Sequence, residues 1–259
     1  MNHEQLAEGL KQLRLFATKR DYNAIALECE NSKKTYENYL ASIVANELRE
    51  KDQLRIARFL KHSKLPLVKL IEEFDFSERT GINSQQVMRL CEGDFLKSAG
   101  NIVLYGTVGV GKSHLAMGIV RRLCERNFRC LFTSTQTLIN ELLAAHKTLS
   151  LASLLKRLDH FDLLAIDELG YLPQNQEGAD LFFQLISQRY ERKSILITTN
   201  LTYSEWDKIF LNPITTAAAI DRIIHNCETY NIQGPSWRRE TARKRKLNTL
   251  DLNNELASL

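Results

Sequence analysis

Eight consecutive residues, Gly106-Thr-Val-Gly-Val-Gly-Lys-Ser113, carry the most specific chemistry in this chain. Gly106, Thr107, Val108, Gly109, Val110, Gly111, Lys112 and Ser113 fit the G-x-x-x-x-G-K-[ST] pattern at every constrained position. In such a loop the glycines let backbone N–H groups turn inward around a triphosphate. Lys112 supplies a positive charge at the β- and γ-phosphates, and the Ser113 hydroxyl can ligate Mg²⁺. These residues and the adjoining His114 are the expected contacts to ATP. The pattern implies a chain that binds a nucleoside triphosphate.

Two acids follow at the right kind of place. Asp167 and Glu168 stand directly after the apolar run Leu163-Leu-Ala-Ile166, at the carboxyl end of a strand, where open α/β sheets hold ligands. Downstream of a phosphate loop this is a Walker B pattern: Asp167 holds Mg²⁺ through its water shell, and Glu168 polarises the water that attacks the γ-phosphate. Asn200 ends a further apolar run from Ile195, at the tip of a strand expected beside the phosphate loop. Its amide can hydrogen-bond the γ-phosphate or the attacking water. Arg222 sits in the apolar helix Ala219-Ile-Asp-Arg-Ile-Ile224. Its pattern fits equally a cation completing a phosphate site on an adjacent subunit and a surface salt bridge with Asp221 or Glu228.

The elements needed to position these groups can be read from periodicity. Ile102–Tyr105 reads as a buried strand, and a helix from Ser113 carries Leu115, Ala116, Ile119, Val120 and Leu123 on one face. This strand, loop and helix aim a helix N-terminus at an anion. Further strands are expected at Cys130–Thr133, Leu163–Ile166, Ser194–Thr198 and around Cys227–Gln233, alternating with helices. The fold class is therefore α/β, a P-loop NTPase with a parallel sheet covered by helices on both faces. Residues 1–65 read as a small all-helical domain closed by Pro66, with Leu6, Leu10 and Leu13, then Tyr36, Leu40, Val44 and Leu48, at helical spacing. Residues 66–100 have weaker periodicity and read as a linker into the core. Phe74 and Phe76 in it suit either ordinary core packing or the face of a nucleotide base. The ATPase core spans 101–238, and 239–259 is a basic tail.

The chain has 259 residues and a net charge of +4. Its five cysteines are scattered without C-x-x-C spacing, so reduced thiols are expected rather than a metal site or disulfides. No apolar run approaches the ~20 residues of a membrane span, and the N-terminus lacks a signal peptide's pattern, so a cytoplasmic protein is expected. Basic residues gather at two places. Lys51, Arg55, Arg58 and His62 form one stripe on a helix, and Arg238, Arg239, Arg243, Lys244, Arg245 and Lys246 cluster near the C-terminus. Two such clusters point to a polyanion partner, with Lys51, Arg55 and Arg58 as the DNA contacts.

Beyond the loop and the Asp-Glu pair, the chain carries Ile166-Asp-Glu-Leu-Gly-Tyr-Leu-Pro173, Gln188-Arg-Tyr-Glu-Arg192, Thr198-Thr-Asn-Leu201, Glu205-Trp206, Ile220-Asp-Arg222 and Gly234-Pro-Ser-Trp-Arg238. In order and spacing these resemble the IstB-like ATP-binding proteins, helper ATPases encoded beside the transposase in a class of bacterial insertion sequences. The likeness runs from about Leu6 to Arg238. It implies an initiator-type AAA+ fold related to the DnaC-type helicase loaders, with Asn200 as sensor 1 and Arg222 as an arginine finger acting on a neighbour. It also implies Mg²⁺-dependent ATP hydrolysis by subunits assembled as rings or spirals on duplex DNA, and delivery of that DNA to a cognate transposase. A helicase loader is the alternative, since the core serves both. A scaffold using nucleotide only as an assembly switch is a third class, opposed by Glu168. The family commonly has Ser-Tyr-Arg where this chain has Ser236-Trp-Arg238.

Overall fold

A computed structural model describes residues 2–77, 81–170, 176–210 and 212–237. Arg238 and the basic segment 239–259 lie outside the described residues. The chain forms two compact units, Met1–Arg58 and Phe59–Leu259.

The first unit holds α1 (His3–Gln12), α2 (Phe16–Asn31) and most of α3 (Tyr36–His62). Asn2 and Gln5 form a capping box that starts α1. The N-terminus of α2 has no cap from its own Leu15. Glu47 of α3 takes over, accepting from the Thr18 N–H at 2.8 Å and from the Thr18 hydroxyl at 3.0 Å. Around it, Asn46 donates to Asp21 at 2.8 Å and Arg20 pairs with Glu50. The apolar periodicity that marks these helices does not become a core. Tyr36 is 94% exposed, and Leu13, Phe16, Leu40, Leu48 and Leu54 are all exposed. Three helices offer each other too few neighbours to cover every apolar stripe. Helix α3 ends at His62, before Pro66, where Lys64 takes a left-handed φ of 54°.

The second unit is built on a parallel sheet. Its strands are β1 (Asn101–Gly106), β2 (Cys130–Ser134), β3 (Leu163–Leu169), β4 (Ser194–Thr199) and β5 (Cys227–Ile232), in the order β2-β3-β4-β1-β5. The sheet is buried on both faces, which is why its strands read as unbroken apolar runs. On one face Ile102, Leu104, Ala165 and Leu196 meet Leu115, Ile119 and Leu123 of α6 (Lys112–Glu125). On the other, Val103, Ile166 and Ile197 meet α7 (Thr135–Lys147), α8 (Leu151–Asp159), α9 (Gln176–Arg189) and α11 (Pro213–Ile224). Short α10 (Asp207–Phe210) also packs here. Arg189 is buried beside the amino ends of β3 and β4, donating to the carbonyls of Leu158, Phe161 and Ser194 at 2.9, 3.1 and 2.8 Å. Burial pulls its guanidinium down to about 10, so it stays cationic at neutral pH.

Residues 66–100 are not a linker in the described structure. They carry a 3₁₀ turn at Ile71–Glu73, α4 (Ser84–Glu92) and α5 (Asp94–Lys97). Ile71, Phe74, Ile82, Val87, Leu90 and Cys91 are buried in the same core as α6. The elements are too short for their periodicity to stand out: α4 shows only Val87, Leu90 and Cys91 on its inner side. No described helix is long and apolar enough to cross a membrane.

Burial acts to raise the Glu47 carboxyl's pKa, but the hydrogen bonds from Thr18 and the nearby Lys51 ammonium outweigh it and hold the group below its ordinary value. A carboxylate whose folded-state pKa is depressed contributes stability above its unfolded value, and that contribution fades as pH falls through the folded value. Glu47→Ala should therefore destabilise the N-terminal helices by about 1–3 kcal/mol at pH 7. The difference between the parent and variant melting curves, followed by helical circular dichroism, should shrink below about pH 4. An undiminished difference in acid would contradict the assignment.

Candidate active site

Strand β1 ends at Gly106, and α6 begins at Lys112 with Gly111 as its N-cap residue. The loop between them returns tightly on itself. Gly109 has a φ of 87°, and a Cβ there would come within 2.2 Å of the Ser236 hydroxyl. Val110 is fully buried and anchors the loop from below. Lys112 Nζ donates to the carbonyls of Gly106 at 2.8 Å and Thr107 at 2.9 Å, which holds the ammonium over the loop. The first N–H groups of α6 have no partner within the helix and carry the positive end of its dipole, so an anion is the natural partner.

Strand β4 lies between β1 and β3, pairing with both. Glu168 at the end of β3 and Asn200 just past the end of β4 thereby reach the same rim as the phosphate loop. Glu168 has a φ of 60°, unusual for a residue with a side chain. Its N–H donates to the Thr198 hydroxyl at 2.9 Å, and that hydroxyl donates to Asp167 Oδ1 at 2.5 Å. Thr135 steadies the same stretch from the other side, its hydroxyl donating to the Asp167 carbonyl at 2.9 Å.

The rim encloses a cavity of about 610 Å³, within the range of small-molecule sites. One wall is the loop and the start of α6; Glu168 and the tip of β4 form a second. A third comes from residues 67–75, locked onto α6. His114 Nε2 bonds the Leu70 carbonyl at 2.7 Å, Arg122 pairs with Glu72, and the Phe74 ring lies against Gly111 and edge-on to His114. The fourth is the turn after β5, where the Trp237 N–H donates to the Gly109 carbonyl at 3.0 Å.

Of the residues expected from sequence, Val108 through His114, Glu168 and Asn200 line this cavity together. Gly106 and Thr107 contribute carbonyls to Lys112. Asp167 is half-buried beside the wall, bonded to Thr198. Ser113 and Asp167 offer hard oxygen donors of the kind Mg²⁺ takes. Among the described residues no cluster of three or more His, Cys, Asp or Glu could hold a metal by itself, so a cation here fits only alongside phosphate oxygens. Arg222 is outside the cavity lining. Its Nη1 donates to the Ala218 carbonyl at 2.8 Å and its guanidinium lies 5.0 Å from the Phe183 ring centroid. Glu228, one acid offered to it by sequence, is held by Arg89 and Tyr230 instead. Lys51, Arg55 and Arg58 belong to the N-terminal unit and are exposed, with Lys51 paired to Glu47 and Arg55 to Asp52.

Sequence reasoning missed Lys69, Glu73, Asp75, Thr198 and Trp237, all of which line the cavity. Phe74 is buried in the core, as ordinary packing predicts, and it also lines the cavity. Lys69, Glu73 and Asp75 lie on a short segment without periodicity, whereas Thr198 and Trp237 stand in two of the motifs quoted above, which assign them no role.

Comparison with known proteins accords with this geometry. The model of the family described as IstB-like ATP binding protein matches residues 8–245. The chain belongs to this family. An insertion-sequence ATP-binding protein of Sinorhizobium fredii is 38% identical over 95% of this chain and 83% of its own length. The corresponding protein of insertion sequence IS21 from Pseudomonas aeruginosa is 35% identical over 81% of this chain and 79% of its own. Among solved structures, the DnaC helicase loader matches 68% of this chain and 99% of its own with a TM-score of 0.52 and 19% identity. DnaI matches 65% and 89% with a TM-score of 0.51 and 20% identity. These last two likenesses show the fold, a parallel α/β sheet covered by helices on both faces. The cavity, which holds the phosphate-loop motif, is the candidate nucleotide site of this IstB-like ATP-binding family member.

The two tryptophans give this site a direct readout. Trp237 is 50% exposed on the cavity wall, whereas Trp206 is fully buried in the sheet's other layer. ATP should change the intrinsic fluorescence. Trp237→Phe should remove that change while labelled ATP still binds, Trp206→Phe should leave it, and Lys112→Ala should abolish both signal and binding. A nucleotide signal that survives in Trp237→Phe would contradict the wall as described.

Proposed function

We propose that this chain is an ATP-dependent, DNA-binding regulator of transposition. ATP-bound copies assemble on duplex target DNA in the cytoplasm, present it to the transposase of the same insertion sequence, and separate after hydrolysis. The observation that carries the reading is the meeting of Lys112, Ser113, Glu168 and Asn200 on one cavity in a chain similar over most of its length to insertion-sequence ATP-binding proteins. A site for binding alone has no use for an exposed carboxylate facing a phosphate loop.

Each residue has a role in this proposal. Lys112 neutralises charge on the β- and γ-phosphates, and Asn200 orients the attacking water. Glu168 accepts that water's proton as the bond to phosphorus forms and the ADP oxygen leaves. Mg²⁺, held through Ser113 and the water shell of Asp167, would supply further positive charge to the phosphates. Arg222 serves a neighbour's ATP, which accords with its place outside its own cavity. The N-terminal region to residue 65 provides assembly and DNA contacts. Its exposed Tyr36, Leu40, Val44 and Leu48 suit burial by another protein surface, and Lys51, Arg55 and Arg58 suit phosphates. The core 101–238, together with the packed segment 66–100 that walls its cavity, is the ATPase, and the basic tail 239–259 adds charge.

The trans role is testable by mixing. Arg222→Ala and Lys112→Ala should each be hydrolytically poor alone, Arg222→Ala by about 10³-fold or more if the finger is fully engaged. Together they should recover part of the parent rate, because a mixed interface joins an intact loop to an intact arginine. Absence of recovery in mixtures shown by cross-linking to co-assemble would contradict the role.

A further inference from the structure

The acids at the end of β3 stand on an irregularity of the strand. The β3–β4 register runs from Leu163 opposite Ser194 to Ile166 opposite Ile197, then resumes at Leu169 opposite Thr199. Three steps on β3 thus match two on β4, and the extra residue falls at Asp167–Glu168. A regular strand would send these neighbouring side chains to opposite faces of the sheet. A bulge re-aims them, and here the accommodation includes the left-handed backbone of Glu168. Such a conformation costs of the order of 1–3 kcal/mol and persists only where its surroundings over-determine it.

Three threonine hydroxyls surround this bulge. Thr135 and Thr199 bond backbone carbonyls, those of Asp167 at 2.9 Å and Leu169 at 2.5 Å. Thr198 differs from both. Its oxygen accepts the Glu168 N–H and its single proton goes to the Asp167 carboxylate. An ionised carboxylate can only accept and a backbone N–H can only donate, so the direction of both bonds is fixed. Thr198 is 1% exposed as a residue and yet contributes to the cavity wall. One hydroxyl therefore ties the side chain of one acid to the backbone of the other.

We propose that Thr198 is a positioning residue for ATP hydrolysis, setting the Asp167 carboxylate and the Glu168 backbone as a unit. This rests on the hydrolytic role proposed above for the two acids. Without the hydroxyl, Asp167 loses the bond that orients its carboxylate, and Glu168 loses the acceptor that holds its N–H in the strained conformation. Both acids remain present but are no longer held where attack on the γ-phosphate requires them. Displacements of about 1 Å at a reacting centre cost about 10²-fold in rate.

The test compares the parent, Thr198→Val and Thr198→Ser as full chains. Valine preserves volume and removes both hydrogen bonds; serine keeps the hydroxyl. Thr198→Val should lower kcat about tenfold to a hundredfold while KM for ATP and the ADP affinity measured in EDTA stay within about twofold. The Mg²⁺-dependent gain in nucleotide affinity, measured at equilibrium with ADP, should also shrink. Thr198→Ser should recover most of the parent kcat. Thr198→Val hydrolysing at the parent rate would overturn the inference alone. So would loss of ADP affinity in EDTA in step with rate, with no rescue by serine, because that marks a general structural role. A parent chain that binds ATP under all conditions without hydrolysing it would overturn the hydrolytic reading itself, and this inference with it.

Discussion

The candidate site depends on β4 lying between β1 and β3. Had β3 paired directly with β1, the acids and the amide could not occupy successive strands beside the phosphate loop. The observed order, β2-β3-β4-β1-β5, places the carboxyl ends of β3, β4 and β1 side by side. Helix α6 forms the crossover from β1 to the far edge, leaving room for two strands to be inserted on the way back. Both faces of the sheet are closed by apolar helices, so the strands cannot slip relative to one another without exposing an alternate set of side chains. Position at the rim is thus inherited from packing well below it.

The cavity's remaining walls come from opposite ends of the core unit. Residues 67–75 precede β1, whereas Ser236 and Trp237 follow β5. Each is fastened to the phosphate loop or to α6 at close range: Phe74 against Gly111, Ser236 against Gly109, and the Trp237 N–H on the Gly109 carbonyl. These approaches require glycine in the loop for space as well as for backbone conformation. The same glycines recognised as a phosphate cradle are therefore also packing sites for the two flanking segments.

Much of this was legible in the sequence. The strands at Ile102–Tyr105, Cys130–Thr133, Leu163–Ile166 and Ser194–Thr198 announce themselves because a doubly covered sheet demands unbroken apolar runs. The loop motif and the Asp-Glu pair stand next to them, and Asn200 follows from the strand that bears it. Residues 66–100 were not legible, since their fold rests on contacts with α6 rather than on any local period. The N-terminal stripes misled in the opposite sense. Leu40, Leu48 and their neighbours repeat like core residues but stay exposed in the single chain. Thr198 was hidden because a threonine in a strand is ordinary until the β3 bulge brings both acids to its hydroxyl.

The central claim is that nucleotide state governs the hold on DNA. Retention of a labelled duplex on filters tests it most directly, with parent and Glu168→Gln chains compared in ATP, ADP and no nucleotide. The account predicts that ATP and Mg²⁺ bring both chains onto duplex, that the parent lets go as ATP is consumed, and that Glu168→Gln holds on. ADP should support neither. Equal duplex binding without nucleotide, or binding to single strands alone, would contradict it.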